Sequence, residues 1–247
     1  MQITWMDATA YGKPVTPRDG CPVEINALWY NLVCFVDELG HLFHDKITKE
    51  TEVLMEKIAL SFNKHFWISE GKYLGDVYKE NGYLDKTIRP NQIFAVSLPY
   101  SPLPLERAQA IVAIVEKELL TERGLRTLTP GDQNYNSRYD GDHDERDSAY
   151  HNGTVWPWLM GHYGEALLKT ASDKMKAVVT LKAFLSKFED HLMEGGLFTV
   201  SEIFDGNSPH FPRGCISQAW SVAEMLRLSY LISNKNKKNP DNAILLI

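Results

Sequence analysis

The chain has 247 residues, of which 44% are hydrophobic and 23% are charged, as expected for a single globular domain over residues 1–247 with a large core. The formal net charge is −6, and apart from a short basic stretch at 234–239 no Lys/Arg block occurs, so no nucleic-acid partner is expected. Three widely spaced cysteines argue against a disulfide framework or a zinc motif, and no signal peptide or membrane-spanning run is evident. These features predict a cytoplasmic protein without metal, cofactor or membrane partner.

Apolar residues recur at helical spacing along most of the chain. The pattern predicts helices near residues 24–44, 49–65, 105–120, 156–170, 173–193 and 215–232. Long polar and aromatic loops separate them at 66–90 and 121–154, and loops of this length in a compact domain are usually functional. No period-two run is long enough to predict a sheet. The chain is therefore expected to be all-α, built of helical hairpins.

One stretch, from Arg146 to Trp158, combines an Arg, an Asp, a Tyr, a His and two Trp around a Gly-Thr turn. Aromatic faces stack on the C–H faces of a pyranose, and polar groups bind its hydroxyls. A purely structural interpretation, in which Trp156 and Trp158 open a helix and Asp147 caps it, explains any one residue as well. It does not explain the whole block, because a helix start needs only one cap.

Other chemistries are not indicated. No Gly-x-Ser-x-Gly motif or recognisable nucleophilic cysteine occurs. Asp140, Asp142 and Asp144 alternate as in a calcium loop, but Glu145 stands where glycine is needed and His151 where a bidentate Glu is needed.

Carboxylates that lie near aromatic residues remain as candidates for catalytic groups. Asp7 follows Trp5 and precedes a Gly/Pro loop, and Glu202 lies between two predicted helices. Cleavage of a glycosidic bond needs an acid and a second carboxylate that activates water or attacks the sugar. The apolar ring of Trp5 next to Asp7 is expected to raise the pKa of the Asp7 carboxyl and keep that carboxyl protonated.

Several motifs resemble the glycogen debranching enzyme family, in the order found in its C-terminal amylo-α-1,6-glucosidase domain. They are Thr4 to Asp7, Pro14 to Arg18, Pro22 to Tyr30, Arg89 to Gln92, Gly124 to Leu128, Ala149 to Trp158 and Gln218 to Ser221. The resemblance implies an (α/α)6 toroid of helical hairpins. It also implies an inverting glycoside hydrolase that releases glucose from α-1,6 branch points of glycogen or a similar branched α-glucan.

The resemblance assigns roles to residues of this chain. Asp7 is expected to be the general acid and Glu202 the general base, with Glu24 as the competitor for either role. For this base the family often has Pro-Glu-Leu where this chain has Ser201-Glu202-Ile203. The residues expected to line or brace the glucose pocket are Trp5, Arg18, Glu24, Asn26, Trp29, Arg89, Asn91, Gln92, Asp147, His151, Trp156 and Trp158.

A closed toroid has twelve helices, and only about half as many are predicted here. The chain therefore resembles the C-terminal part of a toroid, which needs an N-terminal remainder or another copy of the chain to cover its apolar faces. Two alternatives stay open. The first is a non-catalytic glycan-binding or assembly fragment. The second is another α/α-toroid glycosidase, similar to a glucoamylase or a trehalase.

Overall fold

The computed structural model describes residues 3–43 and 48–235. Eight α-helices occur in these ranges: α1 (Val23–Leu42), α2 (Thr48–His65), α3 (Phe94–Ser97), α4 (Leu105–Glu118), α5 (His143–Tyr150), α6 (Leu159–Thr170), α7 (Lys174–Ser186) and α8 (Ala219–Lys235). Two 3-10 helices lie at Pro90–Ile93 and His191–Met193.

The helices pack in neighbouring pairs around one apolar core. Helix α1 packs on α2, and α6 lies at the centre of the array, in contact with α3, α4, α7 and α8. The core side of α6 is buried because small and apolar residues, including Leu159, Gly164 and Ala166, fall on it. Gly164 is needed there, since a Cβ atom would collide with Leu228 of α8.

The predicted helices are confirmed, with shifts at their ends. The helix predicted at 156–170 starts only at Leu159, because Val155 and Trp156 pair in a sheet instead. The helix predicted at 173–193 ends at Ser186, and the residues beyond it form the 3-10 turn. The predicted end of the first helix, at residue 44, lies outside the described residues.

The chain also contains short strands that the sequence does not predict. Short strands join the loops into small antiparallel sheets. The strands are β1 (Thr9–Ala10), β2 (Lys13–Pro14), β3 (Cys21–Pro22), β4 (Trp67–Ile68), β5 (Tyr73–Leu74), β6 (Val77–Tyr78), β7 (Leu84–Asp85), β8 (Leu125–Arg126), β9 (Val155–Trp156), β10 (Ile203–Phe204) and β11 (Pro212–Arg213). Each has two residues, which is too short for an alternating pattern to show in the sequence.

One of these sheets joins distant loops. Strands β8, β9, β10 and β11 lie side by side in the order β11-β10-β9-β8. Phe204 pairs with Val155, and Leu125 pairs with Trp156. The sheet therefore holds the loop that carries Glu202 beside the loop that carries His151 and Trp156.

Helix α5 was predicted as loop. It is polar throughout, so it has no apolar periodicity to reveal it. Its start is instead stabilised by a capping box: the Asp142 carboxylate accepts the Glu145 N–H at 2.9 Å, and Glu145 accepts the Asp142 N–H at 2.8 Å. Tyr150, at the other end of α5, packs against the core.

Apolar side chains remain exposed on the first and last helices. On α1 these are Ile25, Leu28 and Leu32, which lie on one face at helical spacing. On α8, Leu226 and Tyr230 are exposed in the same way. Exposed apolar side chains grouped on one face of a helix are typical of a contact site.

The stability of the fold should depend on pH through His162 of α6. Its Nδ1 lies 2.9 Å from the Ser97 hydroxyl, and its ring packs on Phe94. Burial, assisted by the charges of Arg227 and Lys169, lowers its pKa from 6.5 to about 3. As the pH falls, the unfolded chain therefore binds a proton at His162 that the folded chain does not bind. The contribution of His162 to the free energy of unfolding is complete above pH ~6.5 and is lost as the pH falls toward 3.

We expect the free energy of unfolding to fall by about 2 kcal/mol more between pH 7 and pH 5 in the native chain than in a His162→Asn variant. Urea unfolding followed by tryptophan fluorescence at both pH values measures this difference. His143→Asn, at an exposed position, is the control and should behave like the native chain. Equal pH dependence of the native and His162→Asn chains would contradict the prediction.

Candidate functional site

The segment Trp5–Asp7 runs along the surface of the core, and its neighbouring side chains point in different directions. Met6 is buried, while the Asp7 side chain is 67% exposed. The Trp5 indole N–H donates to Asn91 Oδ1 at 2.8 Å. Trp5 thus anchors the segment inward and leaves the Asp7 carboxylate facing outward.

A buried ionic network supports this segment. The Arg18 guanidinium donates to both oxygens of Glu24 and to both oxygens of Asp76. Asn91 donates to Asp76 at 2.9 Å and so connects the network to Trp5. Burial alone would lower the pKa of Arg18, but the two carboxylates outweigh it and raise that pKa. Burial raises the pKa of Glu24, and Arg18 partly offsets the effect.

Arg89 and Gln92 brace the loops rather than face a cavity. Arg89 donates to the backbone oxygens of Thr127 and His151 and to Asn152 Oδ1, at 2.6 to 3.0 Å. Complete burial lowers the pKa of Arg89, an effect that Asp76 partly offsets. Gln92 donates to the Arg89 carbonyl at 3.1 Å.

His151, the C-terminal cap of α5, lies beside Asp7. Its Nε2 is 3.6 Å from Asp7 Oδ1, and the ring is fully buried, stacked on Trp156 at 5.3 Å between centroids. Burial lowers the pKa of His151, although Asp7 acts in the opposite direction, so the imidazole is neutral near pH 7.

The expected rise in the pKa of Asp7 is wrong. Contact with His151 is the main cause that holds the pKa of this carboxyl below its usual value, and it outweighs the partial burial. The Trp5 ring does not wall Asp7 off, because it packs inward with its edge toward His151, Trp156 and Trp158, at 5.1 to 5.2 Å between centroids. Asp7 is therefore ionised near neutral pH in the free chain.

Glu202 is buried and accepts hydrogen bonds from three donors. The Tyr150 hydroxyl donates to Oε1, the Cys215 backbone N–H donates to Oε2 at 2.9 Å, and Gln218 donates to Oε1 at 3.3 Å. Gly214, at φ +66°, leaves the space that Oε2 occupies, since a Cβ atom there would collide with it. The carboxylate is thus held in one orientation.

Tryptophan rings pack together, as what we call the tryptophan floor, against His151 and Tyr150, the residues that contact the two carboxylates. Trp158 stacks on Trp220 at 4.9 Å, and Trp156 meets Trp220 edge-on at 5.6 Å. Some polar atoms of this floor are buried without a hydrogen-bond partner in the described part of the chain: the indole nitrogens of Trp158 and Trp220 and both ring nitrogens of His151.

Two cavities open beside this site. One of about 510 Å³ is lined by Glu202, Gly214, Cys215, Tyr139, Asp140, Arg146 and Arg213. A second, of about 600 Å³, also reaches Asp140 and extends to Tyr11 and Ser148. Their walls mix charges of both signs with aromatic rings, which suits a neutral polar ligand.

The structure brings most of the predicted site residues together, and sets others apart. Trp5, His151, Trp156 and Trp158 pack against one another next to Asp7. Arg18, Glu24, Arg89, Asn91 and Gln92 lie in the buried layer beneath them. Asp147 lies one helical turn before His151, in α5, with its side chain 21% exposed.

Asn26 and Trp29 do not reach this site. Both line a separate cavity of about 260 Å³ with residues of α2, including Phe62 and Phe66. The Asn26 amide donates to the Pro22 carbonyl of its own helix start. Their position on α1 directs them toward α2 and not toward Asp7, which motif order alone did not reveal.

Sequence reasoning missed four residues that matter to the geometry. Asp76 joins the two arginines, Tyr150 and Gln218 hold Glu202, and Trp220 completes the tryptophan floor. Tyr150, Gln218 and Trp220 belong to stretches already noted for their composition. Asp76 follows Gly75 in a loop and gave no signal.

Within the described residues, no group of three or more His, Cys, Asp or Glu side chains could hold a metal ion. No described helix is long and apolar enough to cross a membrane. The groups that this chain itself brings to the site are carboxylates, an imidazole and a phenol, which can act as acids and bases.

Known proteins share the fold. Neutral trehalase from Saccharomyces cerevisiae superimposes with a TM-score of 0.67 at 14% identity, over 90% of this chain and 40% of that enzyme. The GH63 mannosylglycerate hydrolase from Thermus thermophilus gives 0.60 at 14% identity, over 85% of this chain and 45% of that enzyme. These proteins are (α/α)6 toroids, so the predicted fold class is confirmed.

Sequence comparison identifies the family of this chain. The glycogen debranching enzyme of Saccharomyces cerevisiae is 31% identical over 204 residues, which cover 65% of this chain and 13% of that enzyme. The chain thus spans a small part of the curated relative that it matches. A family profile described as amylo-alpha-1,6-glucosidase matches residues 1–227, almost the whole of the described fold. The chain belongs to this family, the amylo-alpha-1,6-glucosidase domain of glycogen debranching enzymes.

Proposed function

We propose that this chain supplies both carboxylates of an inverting glycosidase that releases glucose from α-1,6 branch points of a glycogen-like glucan. Asp7 is the general acid and Glu202 the general base. One observation carries the proposal: two adjacent residues at the end of α5 each contact one of these carboxylates, His151 at Asp7 and Tyr150 at Glu202. The carboxylates therefore belong to one site, although most of the described chain separates them in the sequence.

The acid must carry a proton when the substrate is bound. In the free chain Asp7 is exposed and its pKa is low. A glucose unit seated on the tryptophan floor would remove water from this carboxyl, and loss of water favours the protonated form. We infer that Asp7 takes up its proton on substrate binding and delivers it to the leaving glycosidic oxygen.

Glu202 suits the role of base better than Glu24 does. Both oxygens of Glu24 are engaged by Arg18 in a pair that is 2% and 3% exposed, so no water reaches them. Glu202 instead borders the cavity of about 510 Å³, where an attacking water has room. In a complex with bound glucan we expect the carboxyl groups of Asp7 and Glu202 to lie roughly 6.5–9.5 Å apart, as inversion requires.

The site also fits a glucan as its ligand. The His151 imidazole beside Asp7 and the indole rings packed around it supply the polar and aromatic groups that sugar sites use. The two cavities that meet at Asp140 would hold the glucan chain from which the glucose is cut.

A complete toroid would need further helices, because the solved toroids are more than twice as long as the part matched here. We propose that an N-terminal remainder of the toroid, or another copy of the chain, covers the exposed apolar faces of α1 and α8. Trp29, half exposed on α1, would then pack in this contact.

Two other functions remain as outcomes of the test. The first is a non-catalytic glycan-binding or assembly fragment. The exposed apolar faces of α1 and α8 favour it if no partner covers them, because the toroid then stays incomplete. The fold shared with a trehalase favours another toroid glycosidase if α-1,6-linked substrates are not cut.

The test is hydrolysis of an α-1,6-branched limit dextrin by the chain, alone and with the N-terminal remainder of its toroid, with the product anomer followed by proton NMR. We expect β-glucose to form first, since inversion converts the α-linkage to the β-anomer. Asp7→Asn and Glu202→Gln should each lower kcat by about 10²–10⁴-fold, the range of general acid–base catalysis. Lys79→Gln, at an exposed salt bridge with Asp19, is the control and should retain the native rate.

Each other outcome selects a different function. Release of α-glucose would contradict the inverting mechanism. Cleavage of trehalose but not of the branched dextrin would favour the other toroid glycosidase. Binding of the dextrin without hydrolysis, even with the remainder present, would favour the non-catalytic fragment.

A further inference from the structure

The Tyr150 hydroxyl donates a hydrogen bond to Oε1 of Glu202 from the last residue of α5. We propose that Tyr150 is the positioning residue of Glu202: this bond holds the carboxylate with Oε2 at the cavity, where the attacking water binds. The inference rests on the proposed function for the role of that water, but the position of Glu202 can be tested without hydrolysis.

The Tyr150 ring is itself held in place. It packs against Tyr139, His151 and Trp156, with centroids 4.7 to 5.3 Å apart. The indole N–H of Trp156 also donates to the Tyr150 carbonyl at 3.1 Å. A donor fixed on so many sides can impose an orientation on its acceptor, whereas a mobile donor would follow it.

The Tyr150 phenol stays protonated, and therefore remains a hydrogen-bond donor, at neutral and mildly alkaline pH. Burial, followed by the nearby Glu202 carboxylate, raises the pKa of Tyr150. A protonated Tyr150 has one hydrogen to give, and the bond to Glu202 uses it.

The two other donors to Glu202, Cys215 and Gln218, do not fix the orientation of the carboxylate without Tyr150. The Cys215 N–H holds Oε2, but a single bond to one oxygen lets the carboxylate rotate about it. Gln218 reaches Oε1 only at 3.3 Å, and its own amide oxygen accepts the Ala219 N–H. With Tyr150 on Oε1 and Cys215 on Oε2, both ends of the carboxylate are held, and its plane is determined.

Oε2 is the oxygen on the side of Gly214 and Cys215. It lies against Gly214 and Cys215, which line the cavity of about 510 Å³. Because the backbone N–H of Cys215 uses only one of its lone pairs, Oε2 can still accept a proton from water. The same segment places His151 at Asp7, so Tyr150 also links the orientation of the base to the location of the acid.

The exposed Cys215 thiol reports where the Glu202 carboxylate lies. The Glu202 charge is the main cause that raises the pKa of this thiol. The other charged groups that line the same cavity, Asp140, Arg146 and Arg213, stay unchanged in the variants below. The rate at which iodoacetamide alkylates Cys215, measured by peptide mass spectrometry across neutral to alkaline pH, therefore follows the thiolate fraction and the position of Glu202.

We expect Glu202→Gln to speed alkylation of Cys215 at mildly alkaline pH, because the carboxylate charge is gone. Tyr150→Phe should produce part of the same increase, because a carboxylate held only by the Cys215 N–H and Gln218 rotates and spends less time beside the thiol. In the Glu202→Gln background Tyr150→Phe should add nothing, which a direct effect of the phenol on the thiol would not explain. Tyr73→Phe, which removes a hydroxyl bonded to the Lys86 carbonyl, is the matched control and should leave the rate unchanged.

A native alkylation profile for Tyr150→Phe, beside a faster one for Glu202→Gln, would overturn the proposal. No change in Glu202→Gln itself would also overturn it, since Glu202 would then not lie at Cys215. Gln218→Ala supplies a second test that spares the ring packing: the proposal expects the native profile, and an effect as large as that of Tyr150→Phe would assign the positioning to Gln218. A failed hydrolysis assay with the expected alkylation pattern would refute the proposed function alone.

Discussion

Asp76→Ala should lower the free energy of unfolding by about 3–5 kcal/mol, the range for breaking a buried ion pair by removing one partner. Asp76 is 2% exposed and accepts bonds from Arg18 and Asn91, with Arg89 at 3.8 Å. The network balances two guanidinium groups with two carboxylates. Without Asp76, a buried positive charge has no partner, and Asn91 loses the contact that aligns it with Trp5.

Urea unfolding followed by far-UV circular dichroism measures this loss. The matched control is Asp19→Ala, which removes an aspartate whose partner, Lys79, lies in an exposed salt bridge at 3.1 Å. Solvent screens that pair, so no measurable change is expected. A stability of Asp76→Ala close to that of the Asp19 variant would show that the network contributes little to the fold.

Trp156→Ala should lower the free energy of unfolding by about 3–5 kcal/mol, because it empties a large volume in the core. Trp156 is 1% exposed and contacts Trp5, His151, Tyr150 and Trp220. Its indole N–H also bonds to the Tyr150 carbonyl and the Thr154 hydroxyl at 3.0 to 3.1 Å. The ring thus supports both residues that contact the two carboxylates.

Trp29→Ala is the control for this substitution. Trp29 is 49% exposed, so its truncation removes much less buried apolar area and should lower the free energy of unfolding clearly less than Trp156→Ala does. Thermal and urea unfolding of both variants gives the comparison. Equal stability of the two would mean that Trp156 is not part of the core.

The helical hairpins could be predicted because their signal is local. In α1 and α2 the apolar residues repeat at helical spacing, and the repeat shows in the sequence whatever the chain packs against. Helix α5 had no such signal, since its stability comes from the capping box and from the packing of its end. The two-residue strands were beyond prediction because each exists only through its distant partner.

The candidate site divides in the same way. Motif order predicted Asp7, Glu202, His151, Trp156 and Trp158 as site residues. In the structure His151 lies beside Asp7 and stacks on Trp156, and Glu202 is bonded to Tyr150, the neighbour of His151. Motif order could not distinguish residues of a pocket wall from residues of the buried layer beneath that wall. Arg18 and Glu24, which lie in the buried layer, were therefore grouped with residues that face a cavity. Asn26 and Trp29 were misplaced, because direction on a helix depends on what packs against that helix.

The sequence by itself determined the helix class of the chain, the family to which it belongs and the two candidate carboxylates. Each of these depends on residue types and spacings within short stretches. Tertiary structure alone decided the ionisation of Asp7, the contact between Tyr150 and Glu202 and the role of Asp76. A pKa, a hydrogen bond between distant residues and a buried ion pair depend on burial and distance, and only the folded chain sets these.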